Sequence, residues 1–220
     1  MKALILKDFI LSKKIIWIVS FFLIFWGSLG TLLNPAIGSI IYIYLAFFIA
    51  YYCVIILFGY DEKVDSDAFI NSLPVKRIDV VISRYAFILI YSILICLCIL
   101  AISKFIDLTP FKGISKGRFF SPVEVIVAMA IIMGFMSIYL PFNYFSTGKV
   151  KAFNQIFYIF LIIAPGILFR FVGEKSMIVF INFLQELNSY TLIMLIIFIA
   201  IVLYSLSMLL SMGIYRTKDL

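Results

Sequence analysis

Several stretches of this chain stay apolar over a length that only a lipid bilayer demands. The run from Ile37 to Phe58 carries no charged residue, and its polar and apolar residues do not alternate. A hydrocarbon core of about 30 Å is crossed by roughly 20 helical residues rising about 1.5 Å each. Within lipid the backbone must satisfy its own hydrogen bonds, which leaves helices or a closed barrel. A barrel strand would alternate over about 10 residues, so these runs read as helices. Composition agrees: 65% of the 220 residues are hydrophobic and 13% are charged, against about 25% charged in a soluble domain. The expected fold class is all-α, a polytopic membrane protein.

Six spans are expected, at about 15–33, 36–60, 80–103, 122–145, 153–172 and 191–215, within a single domain covering 1–220. A short amphipathic stretch with Lys2, Lys7, Lys13 and Lys14 precedes the first. That start imitates a signal peptide, but the apolar run behind it is too long and more spans follow. Asn34-Pro35 is a turn, because proline disfavours helix in the residue before it. Ser121-Pro122-Val123-Glu124 is a helix start, with Ser at the N-cap, Pro at N1 and Glu at N3. Pro141 is expected to kink the end of the fourth span. Pro165-Gly166 interrupts the fifth.

The net charge of +7 would suit a nucleic-acid partner only if the bases shared a soluble face. They lie between apolar runs, where they act as topology signals, so no nucleic-acid partner is expected. With the N-terminus inside, twelve fall on the cytoplasmic side: Lys2, Lys7, Lys13, Lys14, Lys63, Lys76, Arg77, Arg84, Lys149, Lys151, Arg216 and Lys218. Six fall outside: Lys104, Lys112, Lys116, Arg118, Arg170 and Lys175. The excess places both termini in the cytoplasm of a multi-pass cell-membrane protein.

The densest polar stretch is Asp61 to Arg84. From Ser66, the residues Phe69, Ile70 and Leu73 follow at i+3, i+4 and i+7 on one helical stripe. Asp61, Asp65, Asp67, Asn71 and Ser72 take the other side, and Pro74 ends the helix at Leu73. Acids near its start suit the helix dipole. A helix made to lie on anionic lipid would show Lys and Arg instead. The acidic face points to a protein partner, although a solvated loop helix resting on the membrane is the plainer alternative.

The run Asn71-Ser72-Leu73-Pro74-Val75-Lys76-Arg77, then Ser83-Arg84-Tyr85 opening the next span, resembles the first cytoplasmic loop of type-2 ABC transporter permeases. The chain also resembles small permeases of Gram-positive bacteria that export amphipathic peptides or confer resistance to them, such as that of the phenol-soluble modulin exporter. The resemblance implies a cytoplasmic ABC ATPase partner and a second permease copy or a similar permease, forming a dimer. It implies a coupling helix in which Phe69, Ile70 and Leu73 touch the ATPase while Asp61, Glu62, Asp65 and Asp67 face its basic residues, with Asn71 leading into the turn. The N-terminal helix would brace the ATPase at the membrane surface. ATP and Mg would bind the partner, and this chain would need no cofactor.

No G-x-x-x-x-G-K-[ST] loop occurs in the chain, so the phosphate cradle of an ATPase is missing. There is no histidine, the commonest general base and metal ligand. Cys53, Cys96 and Cys98 sit in apolar runs as plain thiols. These absences weigh against a membrane-embedded enzyme, leaving a non-transporting anchor or regulatory subunit as the rival to an exporter. Glu124 and Arg170 lie at span ends and read as structural. Residues 173–190 read as an outer interfacial helix, and 104–118 as a basic outer loop. Tyr42, Tyr44, Tyr51, Tyr52 and Tyr60 fit either a substrate path or lipid-facing belts.

Overall fold

The computed structural model describes residues 2–13, 21, 24–25, 35–63, 76–108, 121–145, 150, 152–157, 159–161, 163 and 190–217. Among them every regular element is a helix: α1 (Lys2–Lys13), α2 (Pro35–Lys63), α3 (Arg77–Leu108), α4 (Pro122–Phe145), α5 (Ala152–Leu161) and α6 (Tyr190–Thr217). Four of these are long and apolar enough to cross a bilayer, over Gly38–Asp61, Arg77–Phe105, Pro122–Phe145 and Leu192–Thr217. They coincide with the expected second, third, fourth and sixth spans. The expected first span lies outside the described residues apart from the helical Phe21, Ile24 and Phe25. The fifth is described only over its first half, as α5.

Local signals set the helix ends. Pro35 is the first residue of α2, where its missing N–H would have no partner in any case. The third helix continues past the apolar run through Lys104 to Leu108, because nothing in the sequence breaks it before Thr109-Pro110. At the start of α4 the Ser121 hydroxyl accepts from the Glu124 amide at 3.3 Å, and a Glu124 carboxylate oxygen accepts from the Ser121 amide at 2.8 Å. This reciprocal pair closes the first turn as the sequence implied. Pro141 sits inside α4, which runs on to Phe145.

Polar pairs then fix how the helices align. Glu124 is buried, and its other carboxylate oxygen accepts from the Ser39 hydroxyl of α2 at 2.5 Å. Thus α2 and α4 start at the same end of the bundle. Phe58 of α2 and Tyr144 of α4 meet at the other end, with ring centroids 6.1 Å apart. Tyr144 in turn touches Tyr215 of α6 at 5.4 Å, so α6 finishes there too. Arg77, at the start of α3, donates to the Arg216 carbonyl at 3.4 Å, so α3 runs the opposite way. Tyr44 hydroxyl donates to the Leu161 carbonyl, while Tyr51 donates to Asn154 at 3.0 Å. The fifth helix therefore runs against α2.

The most extensive contact is between α4 and α6. Between α3 and α6, the Tyr85 hydroxyl lies 2.8 Å from the Ser207 hydroxyl and 2.7 Å from that of Ser211. Tyr204 donates to the Tyr85 carbonyl at 2.9 Å. Asn154 Oδ1 also accepts from Tyr139 of α4 at 2.9 Å. Around it, Phe47, Tyr51, Phe135, Tyr139, Phe153 and Phe157 pack ring on ring, their nearest centroids 5.1–5.7 Å apart. Tyr42 and Tyr51 are fully buried in the core. In lipid, where apolar surfaces gain little by leaving the solvent, such hydrogen bonds and close ring contacts supply the interhelical specificity.

Glu124→Ala removes both the cap and the link to Ser39. It is expected to destabilise the protein by about 0.5–2 kcal/mol, as loss of a helix cap does. Glu124→Gln keeps an acceptor and should retain most of that stability. Thermal unfolding of the purified variants in detergent measures both.

Candidate functional site

The described bundle gathers its charges at one end. Among the described residues, Lys7, Asp8, Asp61, Lys76, Arg77, Asp79, Arg84 and Arg216 lie where α2 and α6 finish and α3 begins. At the opposite end, with Ser39 and Glu124, the final turns of α3 present Lys104. The polar stretch singled out in the sequence joins α2 to α3 across the charged end.

Four of these residues form one cluster. Arg84 sits two turns inside α3, with its side chain only 7% exposed. Its Nη2 donates to a carboxylate oxygen of Asp61, in the last turn of α2. Its Nη1 lies 3.5 Å from Oδ1 of Asp8 on α1, whose side chain is 3% exposed. Lys7 Nζ lies 2.9 Å from Asp61 and 3.8 Å from Asp8. Two acids and two bases thus balance within one neutral group drawn from three helices. The guanidinium also lies over the Phe58 ring, 5.0 Å from its centroid, a favourable cation–π placement. Through Phe58, Tyr144 and Tyr215 the cluster rests on α4 and α6 as well.

The first helix owes its orientation to this cluster. Asp8 and Ser12 are buried, while Leu6 and Ile10 are each 60% exposed. Asp8 and Ser12 thus share the inward face with Leu4, Ile5, Phe9 and Leu11, which pack on the core, while Leu6 and Ile10 point away from it. Phe9 completes the inward face, edge-on to Phe87 of α3 at 4.9 Å. Burial pushes the Asp8 carboxyl above its ordinary value of 3.8. Arg84 and Lys7 oppose that rise and the neighbouring Asp61 adds to it.

The sequence assigned Asp61 and Glu62 to the front of a coupling helix. In the structure α2 continues through Lys63, so both belong to its last turn, and the Asp61 carboxylate is turned toward Lys7 and Arg84 of the same chain. Asp65, Asp67, Phe69, Ile70, Asn71 and Leu73 lie outside the described residues. Asp8 went unnoticed in the sequence, and Arg84 was counted as a topology signal. Two marks pointed to them. Asp8 is the only acid before Asp61, and an arginine seven residues into a membrane helix must find a partner. Of the thiols, Cys53 and Cys96 are buried, Cys98 is exposed, and all three are free.

The arrangement offers no nucleophile with a base to activate it. Asp61, in the last turn of α2, and Arg84, two turns inside α3, hold each other, with α1 packed across them.

The family described as ABC-2 family transporter protein matches the chain over residues 3–216. No curated protein and no solved structure is found to be similar to it.

Arg84→Ala should be strongly destabilising, by about 3–5 kcal/mol, because it strands buried carboxylates. Unfolding in detergent at neutral pH tests this. For Asp8 the sign follows from its raised pKa. The protonated form favours the fold, fully below pH 3.8, and that contribution is lost as pH rises through the folded-state value. Asp8→Asn, neutral throughout, should remove this part of the stability–pH slope above 3.8.

Proposed function

The chain belongs to the ABC-2 family of transporter proteins, and we propose that it is the permease subunit of an ATP-driven exporter. Membership makes it a multi-pass membrane component of an ABC transporter and implies an ABC ATPase partner. Export as the direction, a hydrophobic or amphipathic cargo such as a toxin or antimicrobial peptide, six spans and a permease dimer are parts of this reading. So are cytoplasmic termini, a single permease domain over 1–220, and ATP and Mg held by the partner.

The observation that carries it is the ion cluster at the loop's roots. A permease without an ATPase site of its own must receive work through a surface, and that surface must be stiffly joined to the spans. The loop between Lys63 and Arg77 leaves α2 just after Asp61 and enters α3 two turns before Arg84. Arg84 is buried and Asp61 half-buried where they pair, so displacement of the loop is passed to α1, α2 and α3. The same end carries Lys7, Lys76, Arg77, Arg84 and Arg216, against Lys104 at the other among the described residues. That bias supports a cytoplasmic position for the loop.

On this reading Phe69, Ile70 and Leu73 form the apolar centre of the ATPase contact, and Glu62, Asp65 and Asp67 its acidic rim. Asn71 leads to the turn at Pro74. Asp61 contributes from behind, as the acid that anchors the loop to Arg84.

Purification of the chain in detergent from its native membrane, with identification of any ABC ATPase recovered with it, tests the proposal. The wild type should bring down a nucleotide-hydrolysing subunit, and Phe69→Asp with Leu73→Asp should reduce recovery at least about tenfold, as expected for loss of central apolar anchors. Equal recovery by the double variant would move the contact elsewhere. Absence of any ATPase with the wild type would remove the exporter reading.

A further inference from the structure

Among the described residues, Leu206, Leu209, Leu210, Gly213, Ile214 and Thr217 line an apolar groove of about 610 Å³ on the outward face of α6. The three leucines stand 53–64% exposed. Gly213 is the notch between them, where an added Cβ would meet nothing within 4 Å. From Tyr190 to Ser205 the same helix holds neither a glycine nor a base. Leu209, Gly213 and Arg216 follow at i, i+4 and i+7, so the exposed Arg216 stands on the groove's own stripe, at its end. Arg77 of α3 reaches the same point, donating to the Arg216 carbonyl at 3.4 Å, and the exposed Lys76 precedes it. Against these three bases stands one described acid, Asp79, since Asp8 and Asp61 are engaged by Arg84 and Lys7.

The depth of the groove suits a lipid. From Glu124 to Tyr144, α4 rises about 30 Å, the thickness of a hydrocarbon core. Tyr215 touches Tyr144, which sets Arg216 at the edge of that core, beside the phosphates. Leu206 lies about 15 Å further in, so the groove runs through the acyl layer of one leaflet. A second copy of the chain fits less well. Two chains of the same orientation, related by a two-fold axis, face each other at equal depth, which sets Arg216 against Arg216.

We propose that this groove is a site for an anionic phospholipid, with an acyl chain along Leu206, Leu209 and Gly213 and its phosphate held by Arg216, Arg77 and Lys76. Basic residues at the ends of membrane helices attract anionic headgroups, and the groove supplies the seat for the chain that a bare basic patch lacks. The site goes beyond the permease reading and needs no ATPase.

The full chain, reconstituted in vesicles of equal phosphatidylglycerol and phosphatidylcholine and then extracted in mild detergent, tests it by native mass spectrometry. The wild type should retain phosphatidylglycerol in preference. Lys76→Gln with Arg216→Gln should lower that retention at least about tenfold, because bases near the membrane surface each contribute several-fold. Gly213→Leu keeps every base, fills the notch with a better helix former and should lower retention several-fold as well. Both variants should unfold like the wild type in lipid-free detergent, which separates a lost site from a lost fold. The site is overturned if phosphatidylcholine is retained equally, if either variant keeps phosphatidylglycerol as the wild type does, or if a variant that loses lipid also unfolds earlier. Displacement of the lipid by inorganic phosphate alone would overturn it too, since the chain would then contribute nothing. Recovery of the wild type as a lipid-free dimer that Gly213→Leu separates would give the groove to a second copy instead.

Discussion

A guanidinium two turns inside an apolar helix has to be met by carboxylates, and the described bundle is organised around that requirement. Removing Arg84 from water costs several kcal/mol unless its charge is compensated at close range. It is met by Asp61 at the end of α2 and by Asp8 of α1. Meeting Arg84 therefore fixes where α2 must end, how α3 must begin and which face α1 must present. The Phe58 ring extends the constraint to Tyr144 and Tyr215, so five helices register at one end on a single side chain.

The rest of the bundle is held by sparser means. At the far end Glu124 both closes the first turn of α4 and receives Ser39 of α2. Midway, Asn154 accepts from two tyrosines, and Tyr85 lies between two serines of α6. Each is a short polar bridge set among rings and aliphatic side chains. In lipid an interhelical hydrogen bond contributes about 0.6 kcal/mol on average, so none of these alone decides the fold. Together they specify one alignment among the many that apolar helices would tolerate. The charged end is different in kind, since a broken buried ion pair is far more costly than a lost hydroxyl contact.

How much of this could be read beforehand follows from the range of each interaction. The four spans now described were visible within a few residues, because bilayer length and helix breakers act locally. The capping pair Ser121 and Glu124 was legible for the same reason, being three residues apart. The partners of Arg84 were not legible: Asp61 lies 23 residues away and Asp8 on another helix, and no period connects them. A local reading gave Asp61 to an outward acidic face because it begins an acidic run. Its burial against Arg84 depends on α2 continuing as a helix, which turns that carboxylate inward. The Glu124–Ser39 link, 85 residues apart, was hidden in the same way: Glu124 closes the helix start as read, but it is buried instead of reaching for the interface. Family resemblance supplied the idea of a coupling loop, but it did not reveal what anchors that loop.

The central claim is that Arg84 and Asp61 bind the two roots of the loop together. A double-mutant cycle on unfolding in detergent, with Arg84→Met, Asp61→Asn and both combined, tests it most directly. The account predicts strong non-additivity, with a coupling of about 0.5–3 kcal/mol, as found for residues in direct contact. Losses that simply add, to within about 0.3 kcal/mol, would show that the two roots are held independently and would contradict it.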